Sequence, residues 1–253
     1  MKEPLNSHMY SASIAVMLCI SIAACQSDSP PEPASLDGLV TDFVSNAGLE
    51  GATLCWHIEA PTPTSLDAAS SCVVTDNQGA YRIDLMEANQ NGWLTARRQG
   101  YVTGIANLRT GSGLQTVPPL SLTTPTLFEL QGQLTNTEAV GDTGSLVFSV
   151  SNGIPKDKKN VPNIQVSLTP KAGDGPFYLG SNSLPDLSAS KTSINGGGLI
   201  LNLPNGSYEL RHDGLIEPCD VLLGHGTAQT VRAQVVPGWV TFVRIECPAP
   251  SGR

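Results

Sequence analysis

Thr75-Asp76-Asn77-Gln78-Gly79-Ala80-Tyr81-Arg82-Ile83-Asp84-Leu85 joins a turn to a strand, and its residue types say why. Asp and Asn fold short side chains back onto the backbone, and Gly79 can take a positive φ without a Cβ clash, so the first five residues read as a tight turn. Tyr81, Ile83 and Leu85 then alternate with polar residues, the period-2 pattern of a half-buried strand. The signal continues upstream. Leu39-Val40-Thr41 and Val73-Val74-Thr75 are strand-like runs, and Ala52, Leu54, Trp56 and Ile58 share an alternating face opposite His57 and Glu59.

The plan recurs downstream as an internal repeat. Thr75-x-x-x-Gly79-x-Tyr81-x-Ile83-x-Leu85 aligns with Ser193-x-x-x-Gly197-x-Leu199-x-Leu201-x-Leu203, and Leu94-x-Ala96-x-x-x-Gly100 with Tyr208-x-Leu210-x-x-x-Gly214. Ala52-Thr53-Leu54 matches Ile164-Gln165-Val166. The expected fold is all-β, with tandem β-sandwiches over residues 36–122 and 144–248, a linker over 123–143 and a tail over 249–253. In the linker, Thr126-Leu127-Phe128-Glu129 has capping-box form and Leu127, Leu130 and Leu134 share a helical face, which predicts a short helix. Each unit has a long loop before its Gly turn, Glu59 to Ser71 in the first and Pro170 to about Lys191 in the second. Loops beyond about 12–15 residues are usually functional or disordered. The second carries Asp174, Phe177 and Tyr178 in Gly173-Asp174-Gly175-Pro176-Phe177-Tyr178, a candidate binding loop whose aromatics would otherwise close the core.

Near the start of the sequence an apolar run extends from Ser13 to Ala24. A membrane-spanning helix needs about 20 apolar residues, so this shorter run reads as a signal peptide over residues 1–24. Ile22-Ala23-Ala24-Cys25 resembles the lipobox of bacterial lipoproteins, which implies lipid on Cys25; Cys19, preceded by Met17 and Leu18, does not fit that pattern. Residues 25–35, with Ser27-Asp28-Ser29-Pro30-Pro31-Glu32-Pro33-Ala34, lack an apolar face and read as an extended tether. Gln26 in place of Asp implies, by the same resemblance, the outer membrane of the cell envelope.

A net charge of −8 with no basic run excludes the electrostatic footprint of a nucleic-acid binder. Membrane attachment would come from lipid, since multiple acyl chains hold where one holds weakly. Beyond Cys19 and Cys25, Cys55, Cys72, Cys219 and Cys247 remain, an even count that in an exported protein points to disulfides. Three pairings are possible; 55–72 with 219–247 keeps each bridge local. No Cys-x-x-Cys pair exists, so no zinc is expected.

The first unit, through Gly38-x-Val40-Thr41-Asp42, Gly51-Ala52-Thr53-Leu54, Thr75-Asp76-x-x-Gly79-x-Tyr81 and Gly100-Tyr101-Val102, resembles carboxypeptidase regulatory-like domains. That resemblance implies a transthyretin-like (prealbumin-like) sandwich of about seven strands; the family name records a domain found beside a peptidase and does not imply that this domain cuts peptides. The second unit, with Leu203-Pro204-x-Gly206-x-Tyr208 and Trp239-Val240-Thr241-Phe242-Val243, resembles the domain that follows it in bacterial lipoproteins.

Catalytic spacing is missing. No His is followed by Glu at the third position, and no Gly-x-Ser-x-Gly elbow, phosphate loop or dinucleotide fingerprint occurs. The expectation is a noncatalytic envelope lipoprotein, without cofactor or metal, whose sandwiches bind protein or glycan. The alternatives are a structural spacer or accessory subunit of an envelope assembly, and a hydrolase with an unfamiliar site near His57.

Overall fold

In the turn from Thr75 to Gly79, Thr75 and Asp76 meet backbone partners. Asp76 Oδ1 accepts the amides of Gln78 and Ala80 at 2.9 and 2.8 Å. Gly79 has φ +74°, and a Cβ there would lie 2.3 Å from the Val40 carbonyl oxygen, so the turn admits only glycine. Thr75 Oγ1 accepts from Ala52 N at 2.9 Å and donates to Leu49 O at 2.5 Å, stitching the turn to the 49–52 segment. Tyr81 pairs across the ladder with Gly38, whose missing Cβ makes room for the phenol.

The computed structural model describes residues 32–66, 69, 71–85, 87–152, 159–216 and 218–248. Cys25, the signal segment 1–24, most of the 25–35 tether and the tail after residue 248 lie outside the described residues. The strands in order are β1 (Ala34–Asp42), β2 (Thr53–His57), β3 (Ser71–Val74), β4 (Ala80–Asp84), β5 (Asn91–Arg97), β6 (Gly104–Arg109), β7 (Gly113–Thr116) and β8 (Leu120–Leu122). Helix α1 (Pro125–Leu134) precedes β9 (Thr143–Asn152), β10 (Lys159–Asn160), β11 (Gln165–Thr169), β12 (Asp174–Leu179), β13 (Pro185–Asp186) and β14 (Gly197–Pro204). Then come β15 (Gly206–Asp213), β16 (Asp220–Leu223), β17 (His225–Thr227), β18 (Thr230–Val235) and β19 (Val240–Cys247). The protein is all-β but for one short helix among the described residues. Its first strand starts at Ala34, inside the stretch expected as tether.

The sheets form three layers. One small sheet runs β4-β1-β7, with β8 also on β1; the other runs β11-β15-β18-β17. Between them a long sheet runs β13-β12-β14-β9-β19-β6-β5-β2-β3, with β10 and β16 off that path. The first core gathers Leu36, Leu54, Trp56, Ile83, Leu94 and Leu108, the second Leu146, Phe148, Ile200, Leu210, Val231 and Ile245. The cores lie on opposite faces of the long sheet. Across the join, Phe242 stands in register with Ala106 of the first core and with Val147, whereas the second core takes Val147's chain neighbours Leu146 and Phe148.

The reason is a duplication whose unlike sheets have fused. Val40 N bonds Gly79 O as Val150 N bonds Gly196 O; Leu49 N bonds Val40 O as Val161 N bonds Val150 O. Thr192 Oγ1 accepts from Ile164 N at 2.9 Å and donates to Val161 O at 2.8 Å, repeating Thr75. Thr192, not Ser193, is therefore the counterpart of Thr75, and Gly196 that of Gly79, one residue from the alignment read in the sequence. By this correspondence β4-β1-β7 in the first copy matches β14-β9-β19 in the second, and β6-β5-β2 matches β18-β15-β11. Parallel pairing of β19 with β6 then joins one copy's first sheet to the other's second.

That join is reinforced. Gly224 N bonds Asn107 O at 2.5 Å, and Gln234 N bonds Asn107 Oδ1 at 3.1 Å. Ile105, Val236 and Trp239 form a third cluster against Leu66 and Trp93. Cys55 bonds Cys72 across β2 and β3, and Cys219 bonds Cys247 at the end of β19, the local pairing. With sequence separations of 17 and 28, each closure is worth about 3–4 kcal/mol in the chain-entropy model.

Candidate functional site

Helix α1 starts where Thr124 places its hydroxyl to accept Leu127 N at 3.3 Å and Pro125 pre-sets the first helical φ. The cap is two residues earlier than the capping-box reading. It ends at Thr135, whose Oγ1 donates to the carbonyls of Gln131 and Gly132 at 3.0 and 2.9 Å. Phe128 and Gln131 turn toward Val147, Leu199 and Phe242 on the long sheet. Leu130 and Leu134, expected on the packed face, are 44% and 38% exposed. The helix thus covers the face of the β9–β14 region that no small sheet covers.

Beside it a cleft of about 380 Å³ opens between α1, the segment 137–143, β9 and β14. Phe128, Val140 and Leu201 supply its apolar lining; Glu129 and Glu138 stand in its wall. Asn202 braces it. A register shift between Ile200 and Leu203 puts Asn202 at φ 53°, a left-handed conformation that Asn tolerates better than most residues. Its Nδ2 donates to Glu138 O at 2.8 Å and Asp174 Oδ2 at 2.7 Å, and its Oδ1 accepts Val140 N at 3.0 Å. Sequence reading missed Asn202 because it sits between Leu201 and Leu203 as an ordinary solvent-side residue of an alternating strand would. The one available signal was a turn-favouring residue in the middle of an apolar strand.

The segment expected as a binding loop is strand β12. Tyr178 is 2% exposed, its ring edge meets Phe148 at 5.9 Å between centroids, and its hydroxyl accepts Val166 N at 2.8 Å. Burial raises its pKa, with Val166 N–H pulling the other way. Phe177 is half-buried in register with Leu199 on the outer face. Asp174 is exposed and bonds the brace Asn202, so of the three residues it alone reaches the cleft's framework.

His57, expected on the solvent side, is 4% exposed and its Nε2 lies 3.0 Å from Thr95 Oγ1. Trp93 stands opposite it on β5, and the packing of Leu66, Trp93, Val236 and Trp239 buries the face behind Leu54 and Trp56. Burial, and then the charge of Arg97, hold its pKa below the ordinary value. Glu59 is exposed. His225 Nε2 meets Leu108 O at 3.0 Å across the join. His212 is 2% exposed in the second core, edge-on to Phe148, and burial pushes its pKa down to about 4 against a weaker upward pull from the Ala228 carbonyl. A second cleft of about 240 Å³ lies near Ile58, Ser71, Asp84, Glu87 and Gln90. Among the described residues no three His, Cys, Asp or Glu gather to hold a metal, and no helix is long and apolar enough to cross a membrane.

No family model and no curated protein matches the chain. Among solved structures it is similar to the minor pilin GBS52 of Streptococcus agalactiae, at 15% identity and TM-score 0.30 over 87% of this chain and 98% of that one. A variant of the shaft pilin SpaA from Lactobacillus rhamnosus GG matches at 11% identity and TM-score 0.26, over 87% of this chain and 100% of that one. The TIE protein of Bacillus anthracis matches at 13% identity and TM-score 0.26 over 85% of this chain, which spans about a third of its length, 34%.

Proposed function

We propose that this chain is a noncatalytic lipoprotein of the bacterial cell envelope, anchored in the outer membrane through Cys25, whose fused sandwiches of the carboxypeptidase regulatory-like type form a binding module for protein or glycan. The observation that supports this most is the cleft beside α1. Its walls are fixed by a capped helix and by the Asn202 brace, and a volume of about 380 Å³ falls within the range of about 300–1,000 Å³ typical of ligand pockets.

The test is to fill the cleft. Ala139→Trp places a large ring at an exposed lining position, and its capture from envelope extracts and glycan arrays is compared with that of wild type at equal melting temperature. Loss of specific captures supports the module. An identical profile removes the cleft from the function and leaves the second reading, a spacer in an envelope assembly. The reinforced β6–β19 join favours that reading, because it makes two sandwiches into one stiff body.

A further inference from the structure

We propose that the cleft beside α1 takes a cationic group on an aliphatic stem, a Lys or Arg side chain presented by an extended segment of a partner protein. This rests on the reading of the cleft as a binding site and adds the chemistry of its occupant.

Two independent features of the lining point the same way. The first is charge. Glu129 and Glu138 are the charged side chains in the lining, and from Thr124 to Ser145 the chain holds Glu129, Glu138 and Asp142 but no Lys, Arg or His. The second is the use of donors. Both hydrogen bonds given by Asn202 Nδ2 go to the protein itself, to Glu138 O and Asp174 Oδ2. Thr143 Oγ1 donates to Val140 O at 2.5 Å, and Thr137 Oγ1 to Thr135 O at 3.3 Å. The wall therefore presents carboxylate acceptors while these donors are already spent, which suits a ligand that brings N–H groups and positive charge. An anionic ligand would meet repulsion from Glu129 and Glu138 and no Lys or Arg in the lining to offset it.

The apolar part of the lining completes the match. Phe128, Val140 and Leu201 line the same space, and Lys and Arg lay their methylene stems along such surfaces while the charged head stays near water. A single exposed ion pair is worth about 0–1 kcal/mol, too little for capture. The occupant is accordingly an extended segment whose aliphatic neighbours fill the rest of the cleft, with the cation setting specificity and attraction.

The experiment titrates the full chain, isotopically labelled and held in detergent, with acetyl-Leu-Arg-Leu-Lys-amide, following backbone amide shifts. Parallel titrations use acetyl-Leu-Gln-Leu-Gln-amide and the neutral sugar chitotriose. The expected result is saturable shifts at Phe128, Glu129, Val140 and Leu201 with the basic peptide, weakened at least tenfold in the double variant Glu129→Gln, Glu138→Gln and by a tenfold rise in salt. Both glutamates are exposed, so the variant should fold. As a check that does not depend on loss, Glu129→Lys with Glu138→Lys should instead prefer acetyl-Leu-Glu-Leu-Glu-amide. Equal shifts with the glutamine peptide or the sugar would overturn the cationic occupant while leaving the cleft a binding site. Absence of shifts with every probe would overturn the occupant and also remove the cleft's support for the module reading.

Discussion

Replacing Tyr178 by Phe deletes one hydroxyl, and the structure says what that hydroxyl holds. Val166 lies on β11, the edge of the second small sheet, whose ladder partner is β15. Its N–H is met from the opposite layer by Tyr178 Oη at 2.8 Å, so the phenol crosses the core to close an open strand edge. Without it a buried donor is left unpaired, at a cost of about 1–3 kcal/mol. Tyr178→Ala also removes the ring that meets Phe148, and truncating a buried aromatic costs about 3–5 kcal/mol. For a chain of this size each kcal/mol lowers the melting temperature by about 2–4 °C. Thermal unfolding followed by circular dichroism, with bridges intact, should rank the variants wild type, Phe177→Ala, Tyr178→Phe, Tyr178→Ala, the half-buried Phe177 serving as the surface control. Tyr178→Phe within about 0.5 kcal/mol of wild type, the range of ordinary surface changes, would refute the edge-closing role. Tyr178→Ala no worse than Phe177→Ala would refute its place in the core.

The same residue shows where sequence reading stopped. Gly173-Asp174-Gly175-Pro176 looks like loop chemistry, and the two aromatics after it give too short a run for a period to emerge, so β12 was invisible locally. Its strand character comes from pairing with β14, whose partner residues lie twenty or more positions away. The first turn was legible because Asp76, Gly79 and Thr75 satisfy one another within a few residues or across one strand. Alternation in Leu54 and Trp56 marks a buried face, but a period of two cannot say that the other face is buried as well, so the pattern alone puts His57 on the solvent side. What covers it arrives from Trp239 and Val236, far along the chain. The β6–β19 join likewise pairs Gly104 with Val240, and no local pattern announces a contact at that separation. The repeat was visible, yet its register slipped by one because Thr192 and Ser193 both carry a hydroxyl and Gly196 and Gly197 are both glycine. Only the hydrogen bonds of Thr192 decide between them.

Two further outcomes follow from buried groups. Asn107→Ala should cost about 1–3 kcal/mol in urea unfolding, because Gln234 N–H loses its acceptor in the join; a change below about 0.5 kcal/mol would mean that the join does not depend on it. His212 supplies the last, through pH. Its folded pKa of about 4 lies below the ordinary 6.5, so below pH 6.5 the unfolded chain binds a proton that the folded chain refuses. Stability is then fully present above pH 6.5 and is lost as pH falls toward 4, levelling off below that. The gap corresponds to about 3 kcal/mol as an upper figure. His57, also held low by burial, adds to the slope in the same direction and remains in any His212 variant. The comparison that isolates His212 is therefore wild type against His212→Leu, with urea midpoints taken from pH 7.5 to pH 4. The variant should lose distinctly less stability over that interval. Parallel pH curves for the two proteins would show that the imidazole is protonated as easily in the core as in the unfolded chain, and that its burial against Phe148 is not what the structure implies.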